Sequence, residues 1–204
     1  RGLGDVYKRQ PEGYARNPEL VINFYNERRK QLLEVRPNDG HLGLAELEAD
    51  FNVTVVTQNI DNLHERAGSR RIIHLHGELT KVCSSRDPYN PHYIKELKPD
   101  EYEVKFGDKA GDGTQLRPFI VWFGEPVPEI ETAVNYVEKA DIFVIIGTSM
   151  NVYPAAGLLN YVPREAEVYL IDPKPVDVHS MRRIHVIQKG ASEGVRELRS
   201  LLQS

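Results

Sequence analysis

Short runs rich in β-branched residues, separated by stretches with helical spacing, constrain this chain more than any other feature. Val53-Thr54-Val55-Val56, Ile72-Ile73-His74-Leu75, Pro118–Trp122, Asp141–Gly147 and Glu167–Ile171 are runs of this kind. Such runs read as strands buried on both faces. Asp141–Gly147, almost continuously apolar, is the candidate for the central strand, and Ile184–Gln188 for an edge. Between the runs, Asn17-Pro18 opens a helix with a cap residue and a proline at the first helical position. Leu20, Val21, Phe24, Arg28 and Leu32 share a broad face on it. Further helices are predicted around His41–Ala49, over Ile60–Ala67 with Gly68 closing it, over Glu129–Lys139, after Pro154, and at the C-terminus with Ser192 as its cap. Strands alternating with helices predict an α/β fold, a doubly wound parallel Rossmann-like sheet. Lys81–Leu116 is polar, rich in Pro and Gly and weakly patterned, and reads as a smaller inserted domain.

In open α/β sheets, ligands bind just beyond the carboxyl ends of the strands. Two of the runs end there in polar residues: Thr57-Gln58-Asn59-Ile60-Asp61-Asn62-Leu63-His64 and His74-Leu75-His76-Gly77. Polar groups crowded at such a rim weaken packing and suit chemistry. Taken singly, each has an ordinary structural use, since Asn and Asp cap helices and shape turns. Gly147-Thr148-Ser149 follows the strongest strand, where small residues let backbone N–H groups approach a ligand, although Gly-Thr-Ser alone is an ordinary turn.

Composition excludes several classes. With 204 residues and 40% hydrophobic content the chain can bury a real core, and no apolar run is long enough to span a membrane. A net charge of -4 argues against general nucleic-acid binding, and Arg28-Arg29-Lys30 reads as a solvated helix face. The single cysteine, Cys83, rules out an intramolecular disulfide and suits the cytoplasm.

Together the motifs resemble one family, the sirtuins, NAD-dependent protein-lysine deacylases. Gln-Asn-Ile-Asp-x-Leu-His followed by His-Gly is similar to that family's signature. Arg117-Pro118-Phe119-Ile120-Val121-Trp122-Phe123-Gly124-Glu125 is similar to its substrate-binding segment. Gly147-Thr148-Ser149 with Val152-Tyr153-Pro154-Ala155-Ala156 is similar to its second nucleotide-binding turn. The resemblance implies transfer of an acyl group from lysine to ADP-ribose, giving nicotinamide, O-acyl-ADP-ribose and free lysine.

The resemblance also implies roles. His76, immediately before Gly77, would be the general base, since an imidazole titrates near neutrality. His74 is its competitor, because strand alternation puts both on one face, and His64 reads as structural. Asn59 and Asp61 would hold the nicotinamide carboxamide and ribose, Gln58 the ribose hydroxyls, and Ile60 the nicotinamide ring. Gly147, Thr148 and Ser149 would approach the nucleotide. Asp172 would accept from ribose hydroxyls and repel a ribose phosphate, favouring NAD over NADP; equally, Asp172-Pro173 can simply start a turn. Val121, Trp122, Phe123, Gly124 and Glu125 would bind the peptide as an added strand, with Trp122 and Phe123 lining an apolar channel for the lysine stem. Tyr25 and Arg28, at i and i+3 on one helix, resemble the pair with which one class grips a succinyl or malonyl carboxylate; the ordinary alternative is an amphipathic surface helix.

Two departures from the family follow. Arg1–Gln10 shows no periodicity and reads as a scar or junction, and the family's first strand and Gly-Ala-Gly-x-Ser phosphate loop are not present, so the chain alone is expected to bind NAD weakly and to be inactive. The zinc-binding Cys-x-x-Cys pairs are also absent, with Cys83 alone in that region, so no structural zinc is expected and Tyr89, Tyr93, Ile94, Leu97 and Tyr102 should pack in its place. The expected organisation is residues 11–50 as the helical part of a small domain, 51–80 and 117–204 as the NAD-binding domain, and 81–116 as the excursion. Acyl-lysine proteins or peptides are the expected partners, with neither nucleic acid nor membrane, for a monomer in the cytoplasm. A mono-ADP-ribosyltransferase and a non-catalytic acyl-peptide-binding module are the competing readings; a hydride-transfer enzyme is disfavoured, since no Gly-x-Gly-x-x-Gly occurs.

Overall fold

The computed structural model describes residues 11–147, 155–176 and 182–204. Arg1–Gln10, Thr148, Ser149 and Val152–Pro154 lie outside the described residues. In chain order the elements are α1 (Pro11–Arg16), α2 (Pro18–Glu34), α3 (Asp39–Glu46), β1 (Val55–Thr57), α4 (Leu63–Ala67), β2 (Ile72–His74), β3 (Gly77–Ser84), β4 (Lys95–Glu96), β5 (Leu116–Ile120), α5 (Ile130–Val137), β6 (Ile142–Ile146), α6 (Ala155–Leu158), β7 (Glu167–Ile171), β8 (Ile184–Ile187) and α7 (Ala191–Leu202). The chain forms two compact units. The first holds the described residues through Arg36, Thr57–Asn62 and His74–Pro128; the second holds Pro37–Val56, Leu63–Ile73 and the described residues from Glu129 onward. Helix α3 therefore groups with the second unit, apart from α2, and β5 groups with the first.

In the first unit, α2 starts where its cap predicts: the Asn17 side chain accepts from the Leu20 N–H at 3.1 Å. Its buried stripe is Val21, Ile22, Tyr25, Arg29 and Leu32, rotated from the expected face, so that Leu20 is 45% exposed and Arg28 is exposed. Arg29 is the reason. It is 3% exposed, and its guanidinium donates to the Tyr102 carbonyl at 2.8 Å, the Leu79 carbonyl at 3.3 Å and Asn26 Oδ1 at 2.6 Å. A buried cation survives only with such acceptors, and burial still lowers its pKa to about 10. The basic cluster thus splits, with only Arg28 and Lys30 solvated.

The segment Lys81–Leu116 is more regular than its composition suggests. Strand β3 is the centre of an antiparallel sheet of order β4-β3-β5, with Val82 opposite Pro118 and Cys83 opposite Arg117. Strand β5 therefore pairs backwards onto β3. Ile22, Val82 and Val104 form a core with Tyr14, Leu97 and Leu116 against it. Of the residues expected to pack there, Leu97 does so. The Tyr89 ring meets Phe119 at 6.3 Å, Tyr93 meets His92 at 5.1 Å, and Ile94 is half-buried. The end of β3 is tied by a polar knot. The buried Ser84 hydroxyl donates to Asp112 and accepts from the Arg86 and Asp87 N–H groups at 3.0 and 2.9 Å. Thr114 donates to the other Asp112 oxygen through Oγ1 at 2.6 Å and its N–H at 3.1 Å.

The second unit carries the parallel sheet, of order β6-β7-β8. Its central strand is β7, whose Val168, Leu170 and Ile171 are buried. The apolar run β6 pairs with β7 alone among the described residues and is half-buried throughout; β8 is an edge, as expected. Leu47, Ile171, Ile187, Val195 and Leu198 form the core. Helix α3 is closed by a reciprocal cap between Asn38 and His41. Helix α7 starts from Gly190 rather than Ser192, with no side-chain cap.

Candidate active site

In the first unit, β1 ends at Thr57, whose hydroxyl accepts from the Asn59 N–H at 3.0 Å and turns the chain. Two backbone bonds pin this turn: the Leu75 N–H to the Thr57 carbonyl at 2.9 Å and the Leu79 N–H to the Ile60 carbonyl at 2.7 Å. Asn59 is exposed, and Gln58, Ile60 and Asp61 are half-buried. The adjacent Asn62 Oδ1 is buried with no hydrogen-bond partner among the described residues. An orphaned buried acceptor costs about 1–3 kcal/mol, so it marks a place where a donor belongs. Sequence reasoning passed over Asn62, although three amide side chains within five residues were the signal.

The two histidines part company. Strand β2 stops at His74, and Leu75 and His76 form a turn into Gly77, so strand alternation does not reach His76. His74 is 9% exposed. Its Nδ1 lies 3.1 Å from the Asn59 carbonyl, which can only accept, so Nδ1 carries the proton. Its Nε2 lies 3.8 Å from Glu78 Oε1. His76 is half-buried, and its carbonyl accepts from the Val121 N–H at 2.9 Å. Gly77 makes this turn possible: φ is +88°, and a Cβ there would stand 2.1 Å from the Phe119 carbonyl oxygen.

Val121 thus places the segment Val121–Glu125 beside His76. Trp122, expected to line a channel, is instead 3% exposed. The Arg117 guanidinium carbon lies 3.7 Å over its ring, and the Tyr14 ring is 5.1 Å away. Phe123 is 56% exposed at the turn tip, and Gly124 follows with φ of +85°. Glu125 Oε1 accepts from the Trp122 N–H at 2.8 Å and from Arg117 at 3.2 Å. On α2, Tyr25 is 1% exposed, whereas Arg28 is exposed and pairs with no carboxylate among the described residues.

The second unit carries the remaining predicted residues. Gly147 ends β6 with φ of +60° and open space where a Cβ would stand. Its N–H is spent on the Ile171 carbonyl at 3.0 Å, so it offers close approach rather than a donor. Asp172 Oδ1 accepts from the Lys174 N–H at 2.8 Å, which is the turn-forming use its Pro neighbour suggested. Thr148 and Ser149 lie outside the described residues.

A half-buried imidazole next to a turn of amide and carboxylate groups can take a proton from a hydroxyl held by that turn. The Sir2 family model matches residues 5–154. An "NAD-dependent protein deacylase" of Bacteroides thetaiotaomicron is 80% identical, over 98% of this chain and 88% of its own length. A protein of the same name from Helicobacter pylori is 47% identical over 92% of this chain and 80% of its own. A solved Sir2 homologue in complex with NAD superposes with a TM-score of 0.79 at 34% identity, covering 96% of this chain and 77% of that one. Motif order, fold and identity therefore converge, and the chain belongs to the Sir2 family.

Proposed function

We propose that the protein is an NAD-dependent protein-lysine deacylase, with His76 as its general base and with a preference for acyl groups that end in a carboxylate. One observation carries the reading: the turn Thr57–Asp61 and His76 are pinned by backbone hydrogen bonds, while the competing imidazole of His74 is enclosed. The residues fit NAD in kind. Gln58, Asn59, Ile60 and Asp61 would hold the nicotinamide ribose, and Asn62 Oδ1 is an acceptor that a carboxamide or hydroxyl donor satisfies. Gly147, Thr148, Ser149 and Asp172 would hold the rest of the nucleotide, with open space before Gly147. When bound, NAD supplies the ribose carbon that takes the acyl oxygen as nicotinamide leaves. The chain's own part is to orient the ribose through 58–61, to accept a hydroxyl proton at a ring nitrogen of His76, and to lay the substrate backbone along Val121–Glu125.

That peptide mode suits protein substrates of varied sequence, since it reads extended backbone. A solved Sir2 complex with a p53 peptide and NAD superposes with a TM-score of 0.76 at 26% identity, covering 96% of this chain and 82% of that one. Arg28, exposed and paired with no carboxylate among the described residues, supports recognition of a succinyl or malonyl carboxylate. Absence of structural zinc, a cytoplasmic site of action and a monomeric state belong to the same reading; among the described residues no helix is long and apolar enough to cross a membrane.

The test is mass spectrometry of succinyl-, malonyl- and acetyl-lysine peptides incubated with NAD. Because the sequence contains no Gly-Ala-Gly-x-Ser loop, the assay compares the 204-residue chain with one carrying such a loop. The expected result is free lysine, nicotinamide and acyl-ADP-ribose in equal amounts from the second, with little or none from the first. Nicotinamide release without an acyl-lysine peptide would replace the reading with ADP-ribosyl transfer.

A further inference from the structure

The segment Val121–Glu125 is held from beneath by an ion pair between buried Arg117 and half-buried Glu125. Arg117 is 4% exposed, and its guanidinium makes four contacts at once. It lies over the Trp122 ring, 3.7 Å from the centroid, donates to the Ile120 carbonyl at 3.0 Å and the Pro118 carbonyl at 3.4 Å and meets Glu125 Oε1 at 3.2 Å. Glu125 then closes the turn twice, through its side chain to the Trp122 N–H at 2.8 Å and through its own N–H to the Trp122 carbonyl at 3.0 Å. With Gly124 at φ of +85°, Trp122–Glu125 forms a turn of the type that needs a positive φ at its third residue. The turn's tip, Phe123, is 56% exposed, while its floor is buried. One residue upstream, Val121 is bonded to the His76 carbonyl at 2.9 Å.

We propose that Arg117 and Glu125 are positioning residues: their stacked ion pair fixes the Trp122–Glu125 turn, and through Ile120 and Val121 fixes its register against His76, so that an acyl-lysine peptide meets a preformed edge. This rests on the reading of Val121–Glu125 as the peptide-binding segment. A preformed edge matters because an added strand gains affinity from main-chain hydrogen bonds, and these are lost if the edge must be ordered first. Arginine is required because a planar fork can stack on an indole and reach two acceptors, whereas an ammonium cannot. Neither residue touches the substrate through this pair; both act through the turn.

Binding of a fluorescein-labelled succinyl-lysine peptide to the 204-residue chain, followed by anisotropy well below the melting temperature, tests this directly. Trp122 is the only tryptophan, so its emission reports the stack in the same samples. Arg117→Lys and Glu125→Ala should each weaken the peptide at least tenfold and shift the Trp122 emission. Glu125→Gln, which keeps an acceptor for the Trp122 N–H, should recover most of the Glu125→Ala loss. A residue that merely supports the fold would lower the melting temperature without this selective rescue. If Arg117→Lys proves unstable, the Glu125 pair of variants decides alone. Phe123→Ala separates the two layers of the argument. Loss of affinity in Phe123→Ala with affinities within threefold of wild type in Arg117→Lys and Glu125→Ala overturns the positioning role and leaves the peptide segment standing. An unchanged Phe123→Ala variant, or no peptide binding by the wild type, overturns the segment reading and the proposal with it.

Discussion

His74 Nδ1 faces the Asn59 carbonyl and the ring is buried, whereas His76, two residues on, sits half-buried in a turn. Identical side chains therefore have different surroundings, set by where β2 ends. Replacing His76 with Ala should lower deacylation by about 10²–10⁴-fold, the range for a lost general acid or base, with the melting temperature little changed. Replacing His74 with Ala should instead lower stability, by about 0.5–1.5 kcal/mol for the lost hydrogen bond to the Asn59 carbonyl and by more for the cavity that the buried ring leaves. Thermal melts and turnover of both variants check this, and a His74 variant that is stable but inactive would reverse the assignment. Arg28 is the second residue whose surroundings decide its use. An exposed cation with no carboxylate partner among the described residues is available to a carboxylate that loses hydration on entering a site. Arg28→Met should reduce kcat/KM for a succinyl-lysine peptide more than tenfold beyond any loss on the acetyl version, by analogy with roughly 2–5 kcal/mol for a lost charge partner. Equal losses on the two substrates would make Arg28 structural. At this scale the sequence was informative about residue types and poor about orientation. It singled out His76 only through resemblance, and it could not foresee that Arg29 rather than Arg28 turns inward, because the acceptors of Arg29 come from residues 79 and 102.

Elements were legible where a single segment decides its own structure. Helix α2 begins at its cap and proline, and β7 and β8 lie within a residue of their expected limits. Pairing was not legible, because register is set by segments far apart in sequence. Strand β5 pairs antiparallel with β3 through contacts some 35 residues apart, such as Cys83 opposite Arg117. Gly77 is the pivot of that pairing. A Cβ at this position would overlap the Phe119 carbonyl, and φ of +88° adds strain of about 1–3 kcal/mol for any other residue. Gly77→Ala should therefore lower both stability and turnover, since the displaced backbone carries Val121, the donor to His76. A melting temperature and kcat matching wild type would show that the 119–121 backbone is not held there. The Ser84–Asp112–Thr114 knot gives a pH test of the same sheet. Hydrogen bonds from Ser84 and then Thr114 lower the Asp112 pKa from 3.8 to about 2. A carboxylate depressed on folding stabilises above its unfolded pKa and loses that effect as pH falls through the folded one. The melting-temperature advantage of wild type over Asp112→Asn should thus be full above pH 4 and close between about pH 4 and 2; an advantage independent of pH would mean the knot does not depend on the charge.

At the scale of the whole molecule, alternating apolar runs were enough to predict a parallel α/β sheet. They could not predict that the chain crosses between two compact units within β1 and again within β2, since both strands are cut by the division at Thr57 and His74. The same crossing explains why the polar excursion looked structureless: its order comes from α2, whose Ile22 reaches the Val82–Val104 core from some 60 residues away. What holds that excursion together is then a physical question with two answers, a metal or the protein itself. Structural zinc needs four soft or borderline ligands, and thiolates are the usual ones. The chain has one cysteine. Cys83 is buried, and that burial raises its thiol to about 11, so at neutral pH the side chain packs as a protonated core group. The polar work at the end of β3 falls to Ser84, Asp112 and Thr114, which bond one another and the adjacent backbone. Purified protein should accordingly carry far less than one zinc per chain by elemental analysis. Excess chelator should leave the melting temperature unchanged, whereas a zinc-held domain loses folding free energy when its metal is removed. Ser84→Ala should lower it, because two backbone N–H groups and a carboxylate lose their partner at once. One tightly held zinc per chain, with a chelator-sensitive melt, would show that the excursion is metal-bound through ligands other than a cysteine set.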